Sequence, residues 1–290
     1  MIDLIKSISG NTQGAVFYHL RASRPFVSAA LASTPSPANR ELCSFLIELY
    51  AYMILVTNIT FDGDCVSQGL LQDPLLSSLE QLRPERTYGF MMGAAHGLFE
   101  LIPGVCRLAN KRLQERSQEI IPLESVSQYS LLEQAIRNWQ IPSDLQGEGE
   151  WPEQLSTAAH IYKYALLIFL HTAFHCSPVA DDQIINKLQP EIDVMFPLAQ
   201  RLLSYETYPP LFTTMLWPTM VVGSCVRHPV QRELVRNALL GSPFKMAIID
   251  QAALLLDLLW SQNAESENPL FGPMGLQIVM QENGISFCMA

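Results

Sequence analysis

Apolar residues recur at helical spacing along nearly all of this chain, while only 16% of its 290 residues carry a charge. An ordinary domain carries roughly 25%. A surface helix fills its outer face with charged side chains; with so few available here, much of each helix must face other protein. Hydrophobic residues make up 49%, enough for a sizeable core. Strand signals are scarce, because no alternating run of β-branched residues is bounded by Asn-Gly or Asp-Gly turns.

The periodicity predicts a helix over residues 13–31, stopped by Thr34-Pro35-Ser36-Pro37. Asn39 is expected to cap a second that runs through Leu42, Phe45, Leu49 and Met53 to Val56. A third covers 88–116, with a kink or break at Pro103-Gly104. Further helices are predicted over 123–139, 151–176, 179–203, 211–226, 230–240 and 243–260. The segments Phe61-Asp62-Gly63-Asp64-Cys65 and Gln146-Gly147-Glu148-Gly149-Glu150 are read as loops, and 262–273 as a loop-like tail. No repeat recurs at a fixed period, and short loops favour antiparallel neighbours. The expected fold is all-α: a single irregular bundle of antiparallel helices in one domain, 1–290.

Several function classes drop out. Lys plus Arg number 18 against 28 Asp plus Glu, a formal charge of -10, and no Lys/Arg-rich stretch stands ready to hold phosphates. Direct DNA binding by this chain is therefore not expected. The start, MIDLIKSISGNTQG, has no basic region before an apolar one, so it is not a secretory signal. The longest uncharged run, 207–226, contains Pro209, Pro210 and Pro218, a poor membrane helix, so no membrane association is expected. Cys43, Cys65, Cys106, Cys176, Cys225 and Cys288 are widely separated, which fits buried, reduced thiols in a nuclear or cytoplasmic protein. Neither a metal site nor a cofactor is expected.

A series of short motifs resembles the regulatory domain of fungal-specific transcription factors. Phe17-Tyr18-His19-Leu20-Arg21-Ala22 is similar to the family's first helix, and Tyr88-Gly89-Phe90 with Leu98-Phe99-Glu100-Leu101-Ile102 to its next block. The helix ending at Trp139, and the stretch from Tyr162 through Ala165, Leu167, Ile168 and Leu170 to His171, resemble later ones. The most specific stretch is Trp217-Pro218 through Gly223, then Pro229, Arg232 and Leu239; Asp257-Leu258-Leu259-Trp260 resembles the closing helix. Order and spacing match over about 10–261, leaving 262–290 as a C-terminal extension. The resemblance implies a regulatory module downstream of a six-cysteine binuclear zinc cluster that binds DNA. Such a cluster gathers thiolates at about 2.3 Å from each metal, and the cysteine spacing here cannot build it.

The strongest local constellation lies on the helix over 151–176. His160, Tyr164, Leu167, His171 and His175 fall within roughly 80° of one another. His171 and His175, at i and i+4, have the spacing of a shared metal site. His160, about 16 Å away along the axis, cannot join them. With no glutamate between the two, satisfied core histidines or a pocket wall outweigh metal binding. His96 and Glu100 form another i, i+4 pair, usable as an oriented general base, although Glu100 at a solvated position is the plainer reading. Gly93 and Gly97 flank His96 and admit close approach. Asp62 and Asp64 are acid–base groups if buried, and exposed turn residues otherwise. Met91, Met92, Met215, Met220 and Trp217 supply soft apolar surface suited to an aromatic or lipid-like ligand, or simply core.

Two functions follow as expectations. One is a regulatory domain of the fungal transcription-factor type that senses a small molecule or a partner protein, with a homodimer left open. The other is a repurposed stand-alone metabolite-binding protein or enzyme of specialised metabolism using the same pocket. The ligand-binding residues expected are Tyr164, His171, His175 and Trp217, with the His171 and Trp217 segments facing one another or sharing a cavity with the His96–Glu100 helix. If there is catalysis, His96, Glu100 and His171 are its candidates; the sequence leaves open whether a reaction occurs.

Overall fold

The computed structural model describes residues 15–32, 37–56, 91–118, 120–142, 152–206, 214–243, 246–262 and 269–285. Among them every named element is helical, and the lone β feature is an isolated antiparallel bridge between Val179 and Leu270. The fold is all-α. The loops expected at 61–65 and 146–150, the Tyr88-Gly89-Phe90 block, Cys65 and Cys288 lie outside the described residues.

Helix α1, Ala15–Ala32, buries Val16 and Leu20 on one side and packs on α2, Pro37–Val56. Asn39 is not the cap of α2: the helix starts two residues earlier at Pro37, whose missing N–H is no loss in a first turn. From Ala51 to Val56 every α2 residue is buried.

The helix expected over 88–116 is divided. A 3-10 turn, Gly93–Ala95, leads into the short α3, His96–Phe99, and then α4, Ile102–Gln114. The division has a cause in Pro103, which lacks an N–H and whose ring clashes with the carbonyl four residues back, that of Phe99. Proline is tolerated in the first turn of α4, where it sits. Helix α5, Leu123–Asn138, follows Pro122.

Helix α6, Pro152–His175, is the centre of the molecule, packed on α4, α5 and the 3-10 turn. Its residues from Ala165 to Leu170 are all buried, as expected of a helix that is apolar on every side. It packs most extensively on α7, Asp182–Leu203. The turn between them closes with Cys176 at φ 56, and Asp181 caps α7 by accepting from the Ile184 N–H at 2.8 Å. Pro190 and Pro197 sit two turns apart on the exposed side of α7, so the carbonyls they leave unbonded face water.

The C-terminal part comprises α8, Leu216–Cys225, α9, Pro229–Leu240, α10, Ala247–Ser261, and α11, Gly272–Glu282. Helix α8 is buried except at Thr219 and contacts α6, α10 and α11. A helix not expected from sequence follows the segment read as loop-like over 262–273, overlapping it by two residues. Gly272, at φ +66, turns the chain into α11, whose Leu276 and Val279 are fully buried. The Phe271 N–H donates to the Pro178 carbonyl at 2.7 Å, tying this segment to the α6–α7 turn. One cluster of buried apolar residues runs from α1 to α11.

Candidate functional site

Two features lie side by side in the bundle: a polar seam between α5, α6 and α7, and an apolar cavity between α2, α6, α7, α8 and α10.

The seam is built around His171, which is buried. Its Nδ1 lies 2.9 Å from the Tyr129 hydroxyl on α5, and its Nε2 lies 3.9 Å from Oε1 of Glu191 on α7. The longer approach is electrostatic rather than a hydrogen bond. A carboxylate facing Nε2 favours the tautomer with the proton there, which makes Tyr129 the donor to Nδ1. Arg137 donates to Glu191 at 2.6 Å and to Glu133 at 3.0 Å; Lys187 also reaches Glu133, at 3.2 Å. Lys163 holds the end of α5 by donating to the Arg137 and Trp139 carbonyls at 2.7 and 3.1 Å.

Burial lowers the affinity of His171 for a second proton, so its pKa falls below the ordinary 6.5 despite the nearby carboxylates. Burial alone would raise Glu191 and Glu133. Arg137 and His171 outweigh it for Glu191, and Arg137 with Lys187 for Glu133; both carboxyls sit below the usual range. The seam thus holds one neutral imidazole inside a compensated set of charges.

The cavity encloses about 310 Å³. Leu49 and Tyr52 come from α2, Ile161 from α6, Met195, Ala199 and Leu202 from α7, and Ile248 and Ile249 from α10. The segment entering α8 adds Thr214, Met215, Leu216 and Thr219. No charged residue lines it among the described residues. The Thr219 hydroxyl is committed to the Met215 carbonyl at 2.7 Å, and Tyr162 of α6 donates to the Thr214 carbonyl. Its walls offer contact area and few free polar groups, which suits a neutral apolar guest.

The residues singled out from sequence are not brought to one place. Trp217 is fully buried, its ring stacked on Tyr162 (centroids 6.0 Å apart, 9° between planes) and edge-on to Phe169; it is not among the cavity's lining residues. Its neighbours Met215 and Leu216 are, as is Met91, whereas Met92 and Met220 are core. Tyr164 is half-buried against the core and does not line the cavity. His171 and His175 face different acids: Nε2 of His175 lies 3.6 Å from Asp181. His160 packs edge-on to Trp139. His96 and Glu100 stand at either end of α3, where the Glu100 N–H donates to the His96 carbonyl at 3.2 Å.

Sequence reading missed Tyr129, Glu133, Arg137, Lys187 and Glu191. Their i, i+4 spacing on two helices, 129/133/137 and 187/191, is the signal that marks the two facing stripes.

The fungal specific transcription factor domain profile matches residues 2–289. The chain belongs to that family. No curated protein and no solved structure matches it. In this fungal transcription factor domain the match includes 262–289, the stretch set apart as an extension from sequence. The motif residues prove to be a packed unit. The Trp260 indole N–H donates to the Gly223 carbonyl at 3.0 Å, and Arg232 lies 5.7 Å over the Trp260 ring while its Nε donates to the Val226 carbonyl. Asp257 pairs with Arg236 at 3.0 Å. Among the described cysteines, Cys43, Cys106, Cys176 and Cys225 are free thiols; burial pushes Cys106 and Cys225 up to about 12, leaving them unreactive at neutral pH. No described helix is long and apolar enough to cross a membrane.

Proposed function

We propose that this fungal transcription factor domain is a regulatory module whose input is a neutral, apolar small molecule held in the cavity between α2, α6, α7, α8 and α10. The observation that carries the reading is that cavity: about 310 Å³, walled by helices from both halves of the chain, with no charged lining among the described residues. A guest in contact with five helices favours their packed arrangement over looser ones, in proportion to its concentration over its Kd. That change in packing is the output, read by a protein that carries the DNA contact, in the nucleus. The cavity's walls favour binding over catalysis, since none of its described lining residues is an acid, a histidine or a cysteine.

The test uses Nile red, a neutral apolar dye, with the full chain. Saturable binding of one dye per chain, with a blue-shifted emission, is expected. Ala199→Trp, which fills the cavity from α7, abolishes it while far-ultraviolet circular dichroism stays helical. The same variant, fused to a separate DNA-binding domain, changes output from a reporter gene. Dye binding that is absent, or that survives the tryptophan in full, rejects the reading.

A further inference from the structure

Among the described residues, many basic side chains meet a carboxylate. Lys111 pairs with Glu124, Arg112 with Glu115, Arg137 with Glu133 and Glu191, and Arg236 with Asp257. In a chain of formal charge -10 that outcome is expected, because carboxylates are in excess. Two cations outside that pattern sit together at one corner. Arg227 and Arg232, at the end of α8 and on the first turns of α9, have no carboxylate partner among the described residues. They line one depression of about 240 Å³ together with Ser224, Trp260, Leu270 and Phe271.

Arg232 is fixed there. Its Nε donates to the Val226 carbonyl at 3.2 Å and its guanidinium lies over the Trp260 ring, so its conformational freedom is spent before any ligand arrives. Burial holds its pKa below the ordinary value, and the positive charge of Arg227 lowers it further. Two cations held close with no counter-ion among the described residues raise the local potential, and an anion between them relieves it. Arg227, which is exposed, also borders a second depression of about 460 Å³ whose floor is Ile185, Leu188, Ile192 and Phe271. The two depressions share Arg227 and Phe271. A polar, cationic compartment thus adjoins a mixed one, in which Gln189, His228 and Gln231 stand beside the apolar side chains.

We propose that this corner, separate from the apolar cavity, binds a small amphipathic oxyanion: its carboxylate or phosphate group sits between Arg227 and Arg232, and its apolar body lies on Phe271 and the α7 side chains. Arginine suits either headgroup because its planar fork matches two oxygens at once. The experiment is isothermal titration of the full chain at constant ionic strength, with hexanoate and hexyl phosphate as probes. One saturable site per chain is expected for at least one probe; the tighter of the two names the headgroup. Arg227→Gln, at an exposed position the fold does not need, weakens that binding about tenfold or more, equivalent to about 1.4 kcal/mol. Lys111→Gln, at an ion pair elsewhere whose Glu124 is exposed, leaves it unchanged. Failure of both anions to bind saturably overturns the proposal, and so does equal binding by Arg227→Gln and the parent chain.

Discussion

Gly223 illustrates how single residues in this fold answer to their neighbours. A Cβ placed there would lie 2.7 Å from Leu256 Cδ1 and 3.2 Å from Val235 Cγ1, so α8 and α10 approach as closely as they do because position 223 has no side chain. Both obstacles are ends of side chains and can yield in part. Gly223→Ala is therefore expected to destabilise by about 1–3 kcal/mol, the usual range for overpacking, measured from urea unfolding midpoints. Adding Leu256→Ala to it should cost less than the sum of the two single changes, because the truncated leucine makes room. Additivity within error would reject close approach as the reason for the glycine. Trp217 poses a different question. Its ring is enclosed by Tyr162 and Phe169, and its indole N–H has no hydrogen-bond partner in the described structure. An unpaired buried donor costs about 1–3 kcal/mol, which Trp217→Phe removes while keeping most of the ring. That variant should lose clearly less stability than Trp217→Ala, for which about 3–5 kcal/mol is expected. Equal losses would mean that volume alone sets the value of this tryptophan.

Between elements, the seam of α5, α6 and α7 makes stability depend on pH with a definite sign. His171 faces Tyr129, Glu133 and Arg137 from α5, Glu191 and Lys187 from α7, and its pKa in the folded chain is lower than the 6.5 of an exposed histidine. As pH falls through 6.5 the unfolded chain takes up a proton that the folded chain resists, so unfolding becomes easier. Glu191 and Glu133, also lowered, add a second loss beginning near 4.5 as their pairs are neutralised. The urea midpoint should hold steady above pH 7, drift down toward pH 5, and drop more steeply below pH 4.5. In His171→Gln the first drift disappears and the second drop stays. A variant profile parallel to the parent's throughout would show that His171 is not the group responsible. The helices of this seam were legible in sequence because a 3.6-residue period is a local property. Its partnerships were not, since Arg137 and Glu191 stand 54 positions apart. Helix α11 escaped notice for a related reason. It opens with Gly272-Pro273 and keeps Gly275, where a Cβ would meet the Leu270 carbonyl carbon at 3.0 Å. Residues retained for close packing there are poor helix formers, and they mask the period. At the cavity, the segment around Trp217 was the right place and the indole the wrong side: adjacent helical positions differ by 100°, so Leu216 lines the space that Trp217 does not.

Across the whole molecule, charge is sparse, and part of it is spent on internal pairing. The -10 balance leaves a negative surface field, and several of the described arginines and lysines that could oppose it are engaged at the α4–α5, α5–α7 and α9–α10 junctions. Arg227 and Arg232 are described cations outside those pairs that sit together at one corner. Two cations can neutralise at most two phosphates, whereas proteins that hold duplex DNA commonly make about 6–10 such contacts, each releasing a counter-ion. The excess of carboxylates repels the remainder of the duplex before any contact forms. On the proposed reading, the domain regulates through what it binds inside and beside the bundle rather than through DNA contact of its own. The expected outcome is that the 290-residue chain causes no change in the anisotropy of a fluorescent duplex at about 0.15 M salt. At lower salt any residual signal should fall with a log–log slope much shallower than the roughly -5 to -9 that about 6–10 phosphate contacts give. Saturable binding at physiological salt, or a slope that steep, would overturn this expectation.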